Sequence, residues 1–166
     1  MSFSSYKFSI FSSPYFSLLL AFILNMLPWS NAPWVPDFLL VVLCFWILQS
    51  PDKVNLLIAF LLGLLMDIQT SQFLGVHAIV YVSSGFLIIY NQRRLSNTTL
   101  LGQTFILLQI FLAANFILLL TLWIMGKNPQ IQLSYLFLPS LIEACLWPLI
   151  KRFLSTRISF LTQNSS

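Results

Sequence analysis

The sequence predicts an all-α integral membrane protein in which six transmembrane helices form one bundle. Of its 166 residues, 58% are hydrophobic and 7% are charged, whereas soluble domains carry about 25% charged residues. The apolar residues fall into six runs separated by short polar segments. Nearly all cations lie in alternate segments, as expected for helix ends on one side of a bilayer. These observations argue against a soluble fold, and residues 1–166 are predicted to form a single transmembrane domain.

The first span is predicted at 15–29. Its apolar run resembles the core of a signal peptide, with Lys7 as the charged end. However, no small-residue cleavage site follows, and Pro28 and Trp29 come directly after the run. We therefore expect this segment to be retained as a span.

The second and third runs are the shortest of the six. A span needs about 20 residues, with about 17 as the lower bound. Extending these runs to 34–49 and 54–70 brings them near that bound and places Asp37 and Asp67 inside helices. A re-entrant hairpin is the alternative, but it would bury the charged turn at 50–53 in hydrocarbon with unsatisfied backbone groups. The remaining spans are predicted at 73–90, 98–125 and 133–150.

The cations give the predicted bundle a direction. With the N-terminus inside, the outer segments contain Lys127 alone. The inner segments contain Lys7, Lys53, Arg93, Arg94, Lys151, Arg152 and Arg157. This distribution predicts that both termini lie inside. Trp147 near the inner surface, and Trp29 and Trp34 near the outer surface, are expected to be interfacial anchors.

Four ionisable residues lie inside the predicted spans, where each is costly and is therefore a candidate for function. They are Asp37, Asp67, His77 and Glu143. Asp37 and Asp67 stand at similar distances from the inner turn, so both rise roughly 20 Å above it at about 1.5 Å per residue. His77 enters the fourth span just below the same surface. Asp37, Asp67 and His77 are therefore expected to share one layer near the outer surface.

The third helix has a small and polar face. Asn55, Ala59, Gly63 and Asp67 recur every four residues and so lie in one stripe. Small residues let a second backbone approach closely, which is common where membrane helices associate. We expect this stripe to pack against the second or fourth helix, or to receive a partner.

Each polar residue also has a purely structural interpretation. Asp37 follows Pro36 at a helix start, where a carboxylate can cap free backbone N–H groups. Asp67 and His77 can satisfy each other by a hydrogen bond. Glu143 has no obvious partner in the sequence, so we expect it to face an inner cavity or another protein.

The residues that could carry chemistry do not match an enzyme. A zinc site needs three or four converging ligands, and the chain has one histidine. A serine hydrolase elbow and a phosphate-binding glycine loop do not occur. The sequence therefore predicts no enzyme activity, cofactor, metal site or nucleic-acid partner. Cys44 and Cys145 are expected to be small apolar core residues.

Several short motifs occur in a distinctive order between about Leu18 and Arg157. They are Met26-Leu27-Pro28-Trp29, Pro36-Asp37-Phe38, Phe45-Trp46, Pro51, Val54-Asn55, Gly63-Leu64-Leu65-Met66-Asp67, Leu74-Gly75-Val76 and Leu146-Trp147-Pro148 before a basic tail. In order and spacing this pattern resembles the rod shape-determining protein MreD family. The resemblance places the characteristic positions of that family at Pro36, Asp37, Gly63, Asp67 and Gly75.

The resemblance implies a non-enzymatic, multi-pass component of the bacterial cell inner membrane that helps to maintain rod shape within the elongation machinery, or elongasome. It implies the bitopic protein MreC as the most direct partner. The MreB filament, and the glycosyltransferase and transpeptidase of lateral peptidoglycan synthesis, would be indirect partners. It also implies a six-helix fold similar to the substrate-binding subunits of energy-coupling factor transporters.

Two functional hypotheses follow. In the first, the chain is a scaffold whose outer polar layer and small-residue stripe receive MreC, with its inner cations near anionic membrane lipids. In the second, it is a small-molecule or lipid-binding carrier subunit in which Asp67, His77 and Glu143 line a central pocket. The scaffold is favoured, because a carrier of this fold would need an energising partner.

Overall fold

The computed structural model describes residues 14–27, 35–70, 73–126 and 133–163. Within these ranges the chain is helical and contains no strand, as the sequence predicted. The helices are α1 Pro14–Met26, α2 Phe38–Gln49, α3 Leu56–Gln69, α4 Val76–Tyr90, α5 Gln92–Asn97, α6 Leu100–Ile124 and α7 Leu133–Gln163. The short helix α5 was not predicted, and α7 continues well past the expected end at 150.

Helix α2 is the central helix of the bundle. Its sequence is apolar on every side until Gln49, and all nine residues from Leu39 to Ile47 are buried. A helix that is apolar all round belongs in an interior, and α2 packs against α1, α4 and α7. It begins later than the predicted span. Asp37 is its N-cap residue and accepts a hydrogen bond from the backbone N–H of Leu40 at 3.0 Å.

Helices α3 and α4 pack closely at Gly63. A Cβ atom at this position would overlap the Cα of Ala78 and lie 2.6 Å from its backbone nitrogen. Ala59 and Asp67 on the same stripe are also buried, whereas Asn55 is exposed and caps the start of α3. The stripe therefore receives α4, which is one of the two intramolecular arrangements that the sequence predicted.

Contacts between helix ends define what we term the cationic end of the bundle. The Tyr15 hydroxyl at the start of α1 donates to the Lys53 carbonyl at 3.4 Å. The Gln103 side chain near the start of α6 donates to the Leu95 carbonyl at 2.7 Å and accepts from Lys151 Nζ at 2.6 Å. A small cavity lined by Leu95, Gln103 and Lys151 adjoins the end of α2. The cations whose side chains the structure describes lie in these segments: Lys53, Arg93, Arg94, Lys151 and Arg152.

The opposite end of the bundle, which we term the carboxyl end, gathers the end of α1, the start of α2, the end of α3 and the start of α4. Gln69 Nε2 at the end of α3 donates to the Asn25 carbonyl at 3.3 Å. Asn25 Nδ2 in turn donates to Asp37 at 2.7 Å. Successive long helices therefore run in opposite directions between the two ends.

Helix α6 is longer than the other strongly apolar helices, α1 to α4. In the described part of the chain, α6 alone is both long and apolar enough to cross a bilayer by itself, with 25 residues. Helices α1 to α4 are apolar but have 13, 12, 14 and 15 residues, short of the about 20 that a span requires. The number of spans therefore stays a prediction.

Two sequence-based expectations are corrected by burial. Trp147 is fully buried and packs against the Phe45 ring, with centroids 6.1 Å apart, so it is a core residue and not an interfacial anchor. Cys44 is buried as expected, but Cys145 is exposed on α7. Both corrections arise because the side of a helix that a residue occupies depends on how the helices pack. Trp29 and Trp34 lie outside the described residues.

Replacing Gly63 with Ala should reduce stability by about 1–3 kcal/mol, because the added methyl group meets the backbone of α4. Thermal unfolding of the purified protein in mild detergent measures the effect. Gly85→Ala is the matched control, since its added methyl group meets only the ends of the Leu56 and Ile47 side chains, which can shift. Equal melting temperatures for wild type and Gly63→Ala would contradict the close approach of α3 and α4.

Candidate functional site

Asp37 is the hub of the carboxyl end. Its Oδ1 accepts hydrogen bonds from Asn25 Nδ2 at 2.7 Å and from the Leu40 backbone N–H at 3.0 Å. Its Oδ2 accepts from the Tyr81 hydroxyl at 2.6 Å. Asn25 also accepts from the Phe38 backbone N–H at 3.1 Å. One carboxylate therefore connects α1, the start of α2 and α4.

Glu143 attaches the last helix to the same point. Its Oε1 accepts from the backbone N–H of Asp37 at 3.1 Å, and its Oε2 accepts from Asn115 Nδ2 on α6 at 3.2 Å. The glutamate side chain is 1% exposed. The sequence around Glu143 does not reveal these partners, because Asp37 lies at the start of α2 and Asn115 lies on α6. Through Glu143, α6 and α7 join the start of α2.

Asp67 holds the connection between α3 and α4. It accepts from the backbone N–H of Gly75 at 2.7 Å and from that of His77 at 2.8 Å. Its Oδ1 also contacts His77 Nδ1 at 2.8 Å. Gly75 has a φ of 105°, a conformation that side-chain-bearing residues rarely adopt. Asp67 thus fixes both the glycine turn and the first turn of α4.

The two carboxylate clusters meet on α4. His77 binds Asp67, and Tyr81, one turn further along, binds Asp37. The His77 and Tyr81 rings are in edge-to-face contact, with centroids 6.2 Å apart. The clusters therefore form one continuous polar layer across the bundle.

A cavity of about 420 Å³ lies beside this layer. Its polar lining comes from Asn25, Asp37, Thr70, His77, Asn115 and Glu143, and its other walls are mainly aliphatic side chains of α2, α4 and α6. Pro36 also lines it, immediately before the Asp37 cap.

The structure brings together most of the polar residues that the sequence singled out, but not all of them. Asp37, Asp67, His77 and Glu143 lie at the carboxyl end, whereas Asn55 caps α3 near the cationic end. His77 and Glu143 line the cavity, and Asp67 does not, because its carboxylate is engaged by the turn before α4. The pocket expected for a carrier is therefore lined by Asp37 instead of Asp67.

Three members of the polar layer were missed by sequence reasoning: Asn25, Tyr81 as a hydrogen-bond donor to Asp37, and Asn115. The two asparagines stand inside apolar runs, and polar side chains in such runs commonly bond across helices. That signal was available in the sequence. Their partners were not, because hydrogen bonds between helices depend on the packing.

The arrangement suits structural support more clearly than catalysis. Within the described residues, no group of three His, Cys, Asp or Glu side chains could hold a metal ion. The carboxyl oxygens of Asp37 and Asp67 each accept bonds from backbone or side-chain donors. These bonds determine where the helices start and how they pack.

An all-helical bundle with one clear candidate span and a buried polar layer between its helices is consistent with the class of membrane helical bundles. Comparison with known proteins identifies the family of the chain. Residues 4–157 match the family model of the rod shape-determining protein MreD, and the chain belongs to this family. The description of the family names rod shape determination.

A curated relative carries the same description. The rod shape-determining protein MreD of Haemophilus influenzae is 38% identical over 88 residues, which is 52% of this chain and 54% of the relative. The chain thus spans about half the length of the curated relative that it matches. No solved structure matches the chain.

Replacing Tyr81 with Phe tests the Asp37 hub. Loss of the hydroxyl leaves Oδ2 without its described donor, so stability should fall by about 1.5–3 kcal/mol, as for a hydrogen bond to a charged group. Tyr90→Phe is the matched control on the same helix, because Tyr90 is 78% exposed. The measurement is thermal unfolding of both variants in the same detergent. Indistinguishable variants would show that the Tyr81 hydroxyl does not support the layer.

Proposed function

We propose that this chain is a non-enzymatic scaffold of the bacterial cell-elongation machinery in the inner membrane. The observation that carries the proposal is the MreD family match over residues 4–157. In this proposal the chain helps to maintain rod shape by holding a partner at a fixed depth and orientation beside lateral peptidoglycan synthesis.

The internal hydrogen bonding supports a scaffold role. A protein that positions a partner must keep its own helices in one arrangement. Asp37 and Glu143 connect five helices through side chains and one helix cap. In a bilayer such bonds have little competition from water, so they define the packing of the bundle.

We propose MreC as the partner, bound on an outer surface of the bundle. The small-residue stripe that could have received it is covered by α4, since Gly63 lies against the backbone of Ala78. A helix of MreC could reach that stripe only by displacing α4. Loss of MreC binding in a Gly63 variant would therefore report damage to the bundle and not a lost contact with MreC.

We further propose six spans with both termini inside. The described cations support this orientation because they all lie at the cationic end, whereas Asp37, Asp67 and Glu143 lie at the other end. Positive charge close to one membrane surface is the usual determinant of orientation. Two features make the short helices compatible with this proposal. Helix α2 is enclosed by other helices, and the bilayer around short helices can thin locally.

Depletion of this chain in its own rod-shaped host should give round cells, and re-expression of the wild-type chain should restore rods. MreC should co-purify with the chain in mild detergent. Gly85→Ala is the control, because it adds the same methyl group inside the bundle without meeting a backbone. The Gly63→Ala variant should fail to restore rod shape and should also unfold at a lower temperature. Normal rods after a clean deletion would contradict the proposed function.

Single cysteines introduced at Arg93 and Lys151 should react with a membrane-impermeant maleimide only after the cells are opened. A cysteine at Lys127 should react in cells whose outer membrane has been permeabilised and whose inner membrane is intact. The background is a chain in which Cys44 and Cys145 are replaced by Ala, once its shape rescue has been verified. Labelling of positions 93 and 151 from opposite sides would exclude the six-span arrangement.

A further inference from the structure

The cavity at the carboxyl end presents an acceptor-rich polar surface. Among the described residues, its lining contains the carboxyl groups of Asp37 and Glu143 and no Lys or Arg. Ionised carboxylates only accept hydrogen bonds. His77 also lines the cavity, and its Nδ1 is engaged by Asp67.

Glu143 is not fully supplied with donors by the described residues. One oxygen receives the Asp37 backbone N–H, and the other lies 3.2 Å from Asn115 Nδ2. That amide nitrogen has two hydrogens but three acceptors within reach, the others being the Phe111 carbonyl at 3.1 Å and Ser140 Oγ at 3.0 Å. The bond from Asn115 to Glu143 is therefore shared.

No cation among the described residues pairs with Glu143, since their one carboxylate contact of ion-pair type joins His77 and Asp67. A buried carboxyl group without a cation or a full set of donors is costly to ionise. In a membrane bundle this cost is a reason to look for a function. A hydrogen-bond donor or a positive charge in the cavity would offset it.

The rest of the cavity is suited to an apolar body. Leu40, Val80, Leu118, Leu119 and Leu122 form its aliphatic walls. Its volume of about 420 Å³ falls within the range of small-molecule sites, about 300–1,000 Å³. The cavity thus combines an acidic, acceptor-rich patch with an apolar wall.

We propose that this cavity binds a primary ammonium group carried on an apolar body, with the ammonium at Glu143 and the body along α6. An ammonium supplies three donors and a positive charge to the acceptors that lack them. Two sources share this chemistry, an ethanolamine lipid headgroup and a free alkylamine. The site is independent of the proposed role in cell shape, because it can be filled whether or not MreC binds.

The test uses the purified full chain in mild detergent with three probes of equal chain length: n-octylammonium, n-octanol and n-octanoate. All three enter micelles, so the alcohol and the carboxylate control for effects on the detergent. Near saturation, octylammonium should raise the melting temperature by about 5 °C relative to both controls. Equal effects of the three probes would overturn the proposal.

Two variants locate the effect. Glu143→Gln keeps the size of the side chain and removes its charge, so it should abolish the shift produced by octylammonium. Leu118→Trp fills the cavity and should abolish it too, whereas Leu120→Trp on the exposed side of α6 should retain it. A shift retained in both Glu143→Gln and Leu118→Trp would place the amine elsewhere and overturn the proposal.

Lipid extraction from the same preparations distinguishes the two sources. Phosphatidylethanolamine retained by wild type and Leu120→Trp but reduced in Leu118→Trp would assign the site to a membrane lipid. A shift with octylammonium and no such difference in retained lipid would assign it to a free amine. If octylammonium produces no shift and the retained lipid does not differ between the variants, the proposal is overturned for both sources. Shape rescue is measured on the same variants. A variant that loses the octylammonium shift but still rescues cell shape has lost the amine site and kept the scaffold function.

Discussion

The fold depends on the need to hydrogen-bond carboxyl groups that are removed from water. A buried carboxylate costs several kcal/mol unless donors surround it. Asp37 is half-buried and receives donors from α1, α2 and α4. Because these donors belong to different helices, satisfying the charge also sets where those helices lie. Glu143 extends the same constraint to α6 and α7.

Helix α4 is where the constraints meet. His77 and Tyr81 bind the two aspartates, and the close approach at Gly63 brings α3 against the same helix. Four of the five positions that mark the family resemblance act in this region: Asp37, Gly63, Asp67 and Gly75. Asp37 caps α2, Gly63 allows the contact with the backbone of α4, and Asp67 holds the turn at Gly75. These roles concern internal architecture, which leaves the outer surface for a partner.

The two ends of the bundle have opposite electrostatic character. The cations whose side chains the structure describes lie at one end, and three of the four acidic residues lie at the other. At the cationic end, Lys151 is held by Gln103, whose amide N–H groups bond the Leu95 and Thr98 carbonyls. Lys151 is therefore an oriented side chain as well as a surface charge. Burial lowers its pKa below the ordinary lysine value.

Much of the fold could be predicted from the sequence, because hydrophobic composition and the spacing of polar segments are local properties. They gave the helical class, the approximate positions of the long helices and the separation of charge. They also selected Asp37, Asp67, His77 and Glu143, since an ionisable group in an apolar run is costly wherever that run packs. The contact between Asp67 and His77 was also predictable, because the two residues flank the short connection between α3 and α4.

Only the tertiary structure decided which residues meet across helices. It paired Glu143 with the cap of α2 and with Asn115, placed Tyr81 on Asp37, and covered the Gly63 stripe with α4. It also buried Trp147 and exposed Cys145. The physical reason is that α1, α2, α4 and α6 are apolar on most of their surface. Apart from the stripe of α3, periodicity therefore cannot say which face turns inward, and the few polar bonds between distant segments make that choice.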